Sequence, residues 1–318
     1  MSTLSQRIQT RGIDWGMVFG LAVLHIGALL AFVPAFFSWD GLLVGLVLFW
    51  LTGSVGISIT YHRMLCHGSF KVRPRWVQYI MTGISVMAAQ RGPLRWVSDH
   101  RRHHAHSDQE GDPHSPRDGF FWSHVFWLVP TDVPRDELDA YFQRWSPDLY
   151  KDPIMRWMDK YALVFPFGAA VALFFLGHYF GTSGMSWLVW AAFFRTVALL
   201  HITYFVNSAS HTWGYRNYET RDTATNLWWV GLLGHGEGWH NNHHAFATSA
   251  NFGHRWWELD LSYAVIQTMK LLGIAYDVKA PKFELAEKRG MKPGAGKTKT
   301  EPEQEPELVA SGTGPAQD

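Results

Sequence analysis

Long uncharged apolar runs alternate with polar segments along this chain. Three of the four longest runs contain no Asp, Glu, Lys or Arg, and the last contains only Arg195. Each run is long enough to cross about 30 Å of hydrocarbon as a helix. The first is also too long for the apolar core of a signal peptide. The pattern therefore predicts four membrane-spanning helices, at residues 17–37, 41–61, 161–181 and 185–206.

Positive charge is distributed unevenly around these runs. The short links at 38–40 and 182–184 contain no Lys or Arg, whereas Arg7 and Arg11 precede the first run and the segment 62–160 is rich in both. The excess of Lys and Arg on the cytoplasmic side of membrane proteins places both termini and that segment in the cytoplasm. We expect an all-α integral membrane protein, with four transmembrane helices in two hairpins and a cytosolic helical cap.

The remaining segments complete this cap and the two polar ends. Residues 76–90 and 226–234 are apolar but too short to span a bilayer, which favours interfacial or re-entrant helices. Residues 256–275 have an amphipathic pattern. From about residue 287 the chain is rich in Lys, Glu, Pro and Gly and loses its aromatic residues, which is typical of disorder. The predicted divisions are an N-terminal cytosolic segment (1–16), a membrane domain (17–286) and a disordered tail (287–318).

Composition excludes several classes of protein. The net charge is +1, so the chain lacks the strongly basic character that is typical of nucleic-acid binding. Cys66 is the single cysteine, which excludes an internal disulfide, a thiolate-held iron–sulfur cluster and an all-cysteine zinc site within this chain. The 17 tryptophans suit a protein that meets two water–lipid interfaces.

Histidine clusters carry the clearest chemical signal. Three boxes, HRMLCH at 62–67, HRRHH at 100–104 and HNNHH at 240–244, lie on the predicted cytoplasmic side. Offsets of three and four place helical side chains on one face, so the histidines of the last two boxes should converge. His62 and His67 are five residues apart, and we expect the helix to end or bend between them. A fourth segment, NSASH, contributes Asn207 and His211 at an offset of four.

The number of these histidines indicates more than one metal ion. Imidazole is a good ligand for iron, copper, nickel and zinc. Two metals with four or five nitrogen ligands each account for the set, and Asn207 could hold a metal-bound water or be a weak ligand. Structural zinc sites stop at four ligands and favour cysteine, so a centre this rich in imidazole suits redox iron better. The candidate ligands are His62, His67, His100, His103, His104, His211, His240, His243 and His244.

The other eight histidines are interpreted as ordinary buried or solvated side chains, because their spacing does not recur. His106 lies at an offset of two from His104 and should point away from the ligand face. The set comprises His25, His106, His114, His124, His178, His201, His235 and His254.

These motifs resemble those of a known family. The order HRMLCH, HRRHH, NSASH and GEGWHNNHH resembles the membrane fatty acyl desaturases, specifically the stearoyl-CoA (delta-9) type. The flanking stretches GISITYHRMLCHGSFK and WVSDHRRHHAHSDQEGDPHSPRDGFFWSHVFWLV agree with it, and the similarity covers roughly residues 20–275. The resemblance implies a di-iron centre held by the nine histidines, with Asn207 binding through a water. It also implies O2-dependent insertion of a cis double bond into a saturated acyl chain.

The chemistry of such a reaction agrees with a metal centre. An unactivated methylene C–H is not acidic, so metal–oxygen chemistry rather than an acid–base pair must break it. Redox iron needs electrons from outside, and the chain has neither an HPGG cytochrome b5 motif nor enough cysteines for a fused ferredoxin. We expect a separate electron donor of ferredoxin or cytochrome b5 type. The sequence leaves open whether coenzyme A or a membrane lipid carries the acyl chain, and where the double bond is placed.

Charged residues near the boxes are candidates for supporting roles. A metal-bound histidine usually donates its other N–H to a carboxylate or carbonyl, which favours Asp99 and Glu237 over the alternative of solvated carboxylates. A phosphate-bearing head such as coenzyme A could be bound by arginines, unless these reflect only the positive-inside bias. The candidates are Arg63, Arg101 and Arg102.

Two residues of the second run are candidates for the end of an acyl tunnel. Trp50 and Ser54 precede His62 by twelve and eight residues and lie roughly on its helical face. There they could limit the length of the acyl chain, although packing within the membrane is the alternative.

Other functions share part of this pattern. A histidine-box lipid hydroxylase or ketolase would use the same ligands. A zinc membrane protein, hydrolytic or non-enzymatic, would bind zinc without iron, and a structural protein would tolerate the loss of His103 and His243. The expected location is a bacterial inner membrane, or the endoplasmic reticulum in a eukaryote.

Overall fold

The computed structural model describes residues 4–283. The predicted tail at 287–318 lies outside the described residues, as do residues 284–286 of the predicted membrane domain. Within the described part, the chain is mostly helical and has one antiparallel pair of two-residue strands.

The α-helices of the described residues are numbered here in chain order. They are α1 (Leu4–Arg11), α2 (Trp15–Leu29), α3 (Trp39–Trp50), α4 (Arg75–Val86), α5 (Pro93–His106), α6 (Phe120–His124), α7 (Leu138–Trp145), α8 (Pro147–Tyr150), α9 (Pro153–Lys160), α10 (Val164–Tyr179), α11 (Gly184–Trp187), α12 (Arg195–Asn207), α13 (Trp228–Leu233), α14 (His240–Ala245) and α15 (Leu261–Leu271). Two π-helical segments continue α3 and α11, at Leu51–Cys66 and Leu188–Phe194. Short 3₁₀ turns lie at Leu30–Phe32, Pro34–Phe36, Pro116–Asp118, Phe126–Leu128, Arg135–Glu137 and Ala209–His211. The strands are β1 (Lys71–Val72) and β2 (Ala275–Tyr276).

Three continuous helices in the described residues are long and apolar enough to cross a membrane, namely Trp15–Phe32, Trp39–Cys66 and Gly184–His211. They correspond to the first, second and fourth predicted runs. The third run, 161–181, contains α10, whose 16 residues reach spanning length only together with α9, across a bend of 65°. The structure therefore has three or four candidate spans. Their pairing into hairpins and the cytosolic position of the cap remain predictions.

The two short links between spans lie close together. Asp40, on the first link, accepts hydrogen bonds from Thr182 N and Trp187 Nε1, both at 2.8 Å. The hydroxyl groups of Ser38 and Ser186 also contact each other at 2.5 Å. These contacts hold the start of α3 against α11, so the second and last candidate spans run side by side from this end.

The first π-helical segment corrects the expectation of a break between His62 and His67. Helical hydrogen bonding continues to the end of the box, where His67 N donates to His62 O at 3.1 Å. Hydrogen bonds between residues five apart widen the turn, so positions five apart share a face. The two histidines therefore lie on one side of an unbroken helix.

The core beside this segment is built from the cap helices. Helices α4, α5 and α15 pack against Leu51–Cys66, and α9 packs against α4 and α5. Apolar side chains from these elements are fully buried where they meet, among them Leu94, Met155 and Ile266. Burial of this kind supplies the main free energy of folding and fixes the helices that carry the histidine boxes.

Arg195 faces protein rather than lipid, as the sequence requires of a charge within a span. Its Nη1 donates to Thr52 Oγ1 and to Met87 O, both at 3.2 Å, and its Nε donates to Ala191 O at 3.0 Å. The guanidinium thus ties the last span to the second span and to the end of α4.

Candidate metal centre

The nine histidines singled out in the sequence converge in two adjacent groups. Within each group, one ring nitrogen of every member lies within 4.8 Å of those of the others. We call them the first and second histidine groups. The first comprises His62, His67, His100, His104 and His243, and the second comprises His103, His211, His240 and His244.

Helices α5 and α14 each contribute to both groups. On α5, His100 and His104 belong to the first group, whereas His103 belongs to the second. Residues three and four positions along a helix lie on the same face but point to slightly different sides of it. One helix can therefore contribute side chains to two neighbouring metal sites. The sequence predicts that the three histidines of the HRRHH box share a face, but not that they divide between two groups. Two helices shared in this way hold the two groups at a fixed separation.

The remaining members come from helix ends. His62 and His67 lie at the end of the first π-helical segment, and His211 closes the 3₁₀ turn that follows α12. Asn207 is the last residue of α12 and lines the same two cavities as His100.

Carboxylates orient the histidine rings of the second group. His244 Nδ1 donates to Asp222 Oδ2 at 2.7 Å, and His103 Nδ1 donates to Asp112 Oδ1 at 3.0 Å. Each bond fixes the tautomer in which the lone pair of Nε2 faces the other histidines. In the first group, His62 Nδ1 donates in the same way to Glu237.

Of the two predicted orienting carboxylates, Glu237 contacts a histidine and Asp99 does not. Asp99 accepts hydrogen bonds from Arg91 Nη1 at 2.7 Å, Arg95 Nε at 3.0 Å and Tyr141 Oη at 2.9 Å. These partners hold its carboxylate away from the rings and correct the expectation. The orienting role of Asp222 was not predicted from the sequence, because Asp222 is 22 residues from His244 and no local spacing links them.

The arrangement of ring nitrogens in the second group is explained better by a bound cation than by hydrogen bonds among the rings alone. His211 and His244 both use Nδ1 for a hydrogen bond, to Thr223 Oγ1 and Asp222 respectively, and both turn Nε2 inward. These two Nε2 atoms lie 3.1 and 3.0 Å from His240 Nε2, which carries at most one hydrogen and so cannot donate to both. A metal ion could be bound by all three Nε2 atoms.

The first group has the same character. Its Nε2 atoms form a continuous run of contacts, with His243 at 3.0 Å from His62 and 2.9 Å from His104, and His100 at 3.0 Å from His104 and 3.2 Å from His67. This run of converging Nε2 atoms also suits a metal ion. Cys66 belongs to neither group, so the donor sets contain imidazole and no thiolate.

Burial and mutual repulsion keep most of these rings neutral. In five rings, burial is the largest cause and the neighbouring histidines are the next, and together they lower the pKa well below its ordinary value. His103 behaves differently: burial opposes its charged form, but Asp112 outweighs this effect and raises its pKa. The five rings are His67, His100, His104, His240 and His243.

These shifts predict that the metal-free protein loses stability on acidification. Below about pH 6.5 the unfolded chain protonates these five histidines and the folded chain does not, so the free energy of unfolding falls as the pH falls. Each ring contributes up to about 1.4 kcal/mol per pH unit. We expect the thermal midpoint of chelator-treated protein in detergent to drop clearly between pH 7.5 and 5.5. A midpoint that stays constant over this range would contradict the neutral state of the rings.

His114, which was interpreted from the sequence as an ordinary side chain, lies next to the second histidine group. Its ring lies 4.4 Å from that of His103, and both group with Asp112 as possible ligands. Burial lowers the pKa of His114 to about 3, so the ring is neutral. Its isolated position in the sequence gives no recurring spacing from which to find it. His106, in contrast, belongs to neither histidine group and packs near Trp145, 6.0 Å between ring centroids.

The asparagines of the HNNHH box hold it in place. Asn242 Nδ2 donates to Glu258 Oε2 at 2.8 Å and to Phe252 O at 2.7 Å. Asn241 Oδ1 accepts from the backbone N–H groups of Asn217 and Tyr218, both at 2.8 Å. The side chains of these asparagines point away from the histidines and anchor α14 to the surrounding loops.

Two small cavities meet at the first histidine group. The larger, about 80 Å³, reaches Trp127 and is called the Trp127 cavity. The smaller, about 40 Å³, extends along the first π-helical segment to Gly53 and is called the Gly53 cavity. They share four lining residues, Trp96, His100, Thr203 and Asn207.

The far end of the Gly53 cavity differs from the predicted tunnel end. Gly53 and Ile57 line it, whereas Trp50 is 41% exposed and Ser54 is buried with its hydroxyl 3.1 Å from Ser262 Oγ. The predicted pair followed α-helical spacing back from His62. The π-helical turn changes that spacing, so the residues that face the cavity are Ile57 and Gly53 instead.

The three predicted head-group arginines have different surroundings. Arg63 is fully buried, and its Nη2 pairs with Asp260 Oδ2 at 2.9 Å. Arg101 binds backbone carbonyls and pairs with Asp148 at 2.6 Å. Neither residue lines the Trp127 or Gly53 cavity, so a head-group role for either one stays a prediction.

Arg102 alone among the three lines an open polar cleft. This arginine cleft has a volume of about 670 Å³ and shares Trp127 with the Trp127 cavity. Arg102 Nη1 pairs there with Asp132 at 2.8 Å. Other arginines of the cleft are Arg7, Arg11 and Arg117.

Comparison with known proteins agrees with this arrangement. Residues 37–279 match the family model described as fatty acid desaturase. The chain belongs to the fatty acid desaturase family. It is 43% identical over 272 residues to the sn-1 stearoyl-lipid 9-desaturase of Anabaena variabilis, covering 84% of this chain and 94% of that protein. It is also 43% identical over 269 residues to the sn-2 palmitoyl-lipid 9-desaturase of Nostoc sp. (strain 36), covering 84% and 90%.

A plant relative shows a different specificity. The chloroplastic palmitoyl-monogalactosyldiacylglycerol delta-7 desaturase of Arabidopsis thaliana is 39% identical over 271 residues, covering 85% of this chain and 70% of that protein. As a member of the fatty acid desaturase family, this chain is an oxidoreductase that acts on fatty acyl groups, and its two histidine groups could each hold a metal ion.

Proposed function

We propose that this desaturase inserts a cis double bond at the delta-9 position of a saturated acyl chain carried by a membrane lipid. The observation that carries the proposal is the pair of cavities that meet at His100 and Asn207, beside the first histidine group. The delta-9 position and the lipid-bound substrate rest on the similarity to acyl-lipid 9-desaturases.

The acyl chain would pass the metal centre through the two cavities. Its methyl end would occupy the Gly53 cavity, whose walls include Ile57, Leu199 and Ile202. Its carboxyl end would leave past Trp127 toward the arginine cleft, whose four arginines and five carboxylates offer hydrogen-bonding groups to a polar head. The methylenes beside His100 and Asn207 would then be those that react.

Two iron ions and O2 complete the proposed centre. The first histidine group would hold one iron and the second group the other, with Asn207 binding through a water. Bound iron supplies the oxygen activation that removes hydrogen from an unactivated methylene.

The residues of this chain position the reactants around that centre. Glu237, Asp112 and Asp222 fix the ring orientations of the histidines. The apolar walls of both cavities exclude water from the reacting carbons, which protects them from side reactions.

The test is expression in a host that lacks its own desaturase, followed by mapping of the double bond in each lipid class. We expect a delta-9 monoene in membrane glycerolipids before it appears in the acyl-CoA pool. A hydroxyl or keto product would support the rival lipid hydroxylase or ketolase, and one zinc per chain without iron would support the zinc protein.

A matched pair of variants controls this test. His243→Ala removes a member of the first histidine group, whereas His178→Ala changes a histidine of α10 outside both groups. We expect H243A to abolish monoene formation and H178A to leave it unchanged. Equal activity of both variants would overturn the assigned centre.

A further inference from the structure

An open cleft of about 490 Å³ reaches both histidine groups from a side that the acyl cavities do not use. It contains His104 of the first group and His244 of the second, and it shares no lining residue with the Trp127 or Gly53 cavity. None of its lining residues belongs to a candidate span. We call it the His104 cleft, and its other residues are Ala105, Ser107, Gln109, Glu219, Thr220, Arg221, Asp222 and Ala245.

The two imidazoles in this cleft are in direct contact. The rings of His104 and His244 stack with centroids 4.7 Å apart and planes inclined by 27°. Asp222, which also lines the cleft, accepts a hydrogen bond from His244 Nδ1 at 2.7 Å. A group placed in the cleft therefore contacts one member of each histidine group at the same time.

Two other open clefts, the arginine cleft and one around Trp145, lack this property. The arginine cleft contains no histidine, and a cleft of about 610 Å³ around Trp145 contains only His106, which belongs to neither group. Electron transfer weakens steeply with distance, so a protein docked at either of these places would transfer electrons less efficiently.

The proposed reaction requires electrons that this chain cannot supply itself. Each double bond consumes one O2, two electrons and two protons; two C–H bonds break, one C=C bond forms and two waters are released. The single cysteine, Cys66, is buried and excludes a thiolate cluster within the chain. Two one-electron deliveries by a separate reduced protein balance the reaction.

We propose that the His104 cleft is the docking surface for a small one-electron carrier protein whose cofactor lies near its surface. This inference rests on the proposed desaturase function. The rim carries charges of both signs, because Glu219 and Arg221 are exposed and neither has an ion pair among residues 4–283. A carboxylate beside the carrier's cofactor would pair with Arg221 and orient the cofactor toward the stacked rings.

The experiment fills the cleft and leaves the metal ligands in place. Ala105 is an exposed residue of α5 within the His104 cleft, and Ala140 is an exposed residue of α7 within the Trp145 cleft. Ala105→Trp and the matched control Ala140→Trp are compared with the parent as iron-loaded full chains in lipid nanodiscs. The probes are a reduced [2Fe–2S] ferredoxin and reduced cytochrome b5, each tested separately.

Three measurements distinguish the possible results. Fluorescence anisotropy gives carrier binding, stopped-flow absorbance gives carrier reoxidation, and metal analysis gives iron per chain. For whichever carrier binds the parent, we expect A105W to weaken binding and slow reoxidation at least tenfold with unchanged iron, and A140W to match the parent. Arg221→Glu should weaken the same binding and make it less sensitive to salt.

A chemical reductant separates failure of this inference from failure of the proposed function. If A105W binds and oxidises the carrier like the parent, the docking surface is wrong. If the parent forms no monoene with dithionite and O2, and oxidises neither carrier, the desaturase function fails instead. A loss of iron in A105W would assign Ala105 a structural role and also overturn the inference.

Discussion

Glu237→Gln should reduce metal retention by the first histidine group and lower desaturase activity by about 10- to 100-fold, the usual effect of losing an orienting partner of a metal ligand. The Glu237 carboxylate is 8% exposed and accepts hydrogen bonds from His62 Nδ1 and, at 2.5 Å, from Ser58 Oγ. Burial opposes its ionised form, but His62 and Arg63 outweigh burial and keep its pKa below the ordinary value.

The physical reason for this large effect is that an amide cannot replace the carboxylate in this position. Three donors surround it, since Arg63 Nη1 also lies 3.2 Å from Oε1. A glutamine offers one acceptor oxygen and turns an NH2 group toward at least one of these donors. His62 would then lose its fixed tautomer, and among the described residues Arg63 would keep Asp260 as its one carboxylate partner.

Metal analysis after dialysis against a weak chelator checks this prediction. Glu137→Gln is the matched control, because Glu137 is an exposed carboxylate outside both histidine groups. We expect E237Q to fall from the proposed two metals per chain toward one, and E137Q to match the parent. Asp222→Asn should produce a similar loss through His244 of the second group. Full metal content and activity in E237Q would show that the carboxylate has no orienting role.

The sequence predicts the histidine sets because helix spacing is a local property. Offsets of three and four in HRRHH and HNNHH determine which side chains share a stripe, whatever the rest of the fold does. The division between two groups depends on where α5 and α14 face each other, which is a tertiary relation. Similarly, Asp222 approaches His244 only through the folding of the loop before α13.

The residues that line the Gly53 cavity differ from the predicted pair for a single local reason. The prediction assumed α-helical turns for residues 51–66, whereas the segment is π-helical. An apolar run in a span gives no signal for that choice, because hydropathy reports burial and not the hydrogen-bonding pattern. The wider turn keeps His62 and His67 together and moves the cavity-facing positions from Trp50 and Ser54 to Gly53 and Ile57.

Gly53→Leu should shift the products toward shorter acyl chains, with at least a tenfold fall in the ratio of 18-carbon to 16-carbon monoenes. A Cβ atom at residue 53 would lie 2.8 Å from His235 Nε2 and 2.9 Å from Leu199 Cδ1, so even alanine crowds the end of the cavity. The ring of His235 has little room to move aside, since the residue is 5% exposed and its ring packs edge-on against Phe49. A leucine side chain would fill the cavity of about 40 Å³ where the methyl end of the chain is proposed to lie.

Gas chromatography of lipids from cells supplied with both chain lengths measures this ratio. Gly20→Leu is the control, because a Cβ at that position of α2 meets no atom within 4 Å. Gly53→Ala should shift the ratio in the same direction but less, and adding His235→Ala should recover part of the 18-carbon product, since it removes the contact of the new methyl with the ring but not the one with Leu199. Overpacking typically costs about 1–3 kcal/mol, so iron content must be measured in each variant. An unchanged ratio in iron-loaded G53L would place the end of the acyl chain elsewhere, because no long chain can share that space with a leucine.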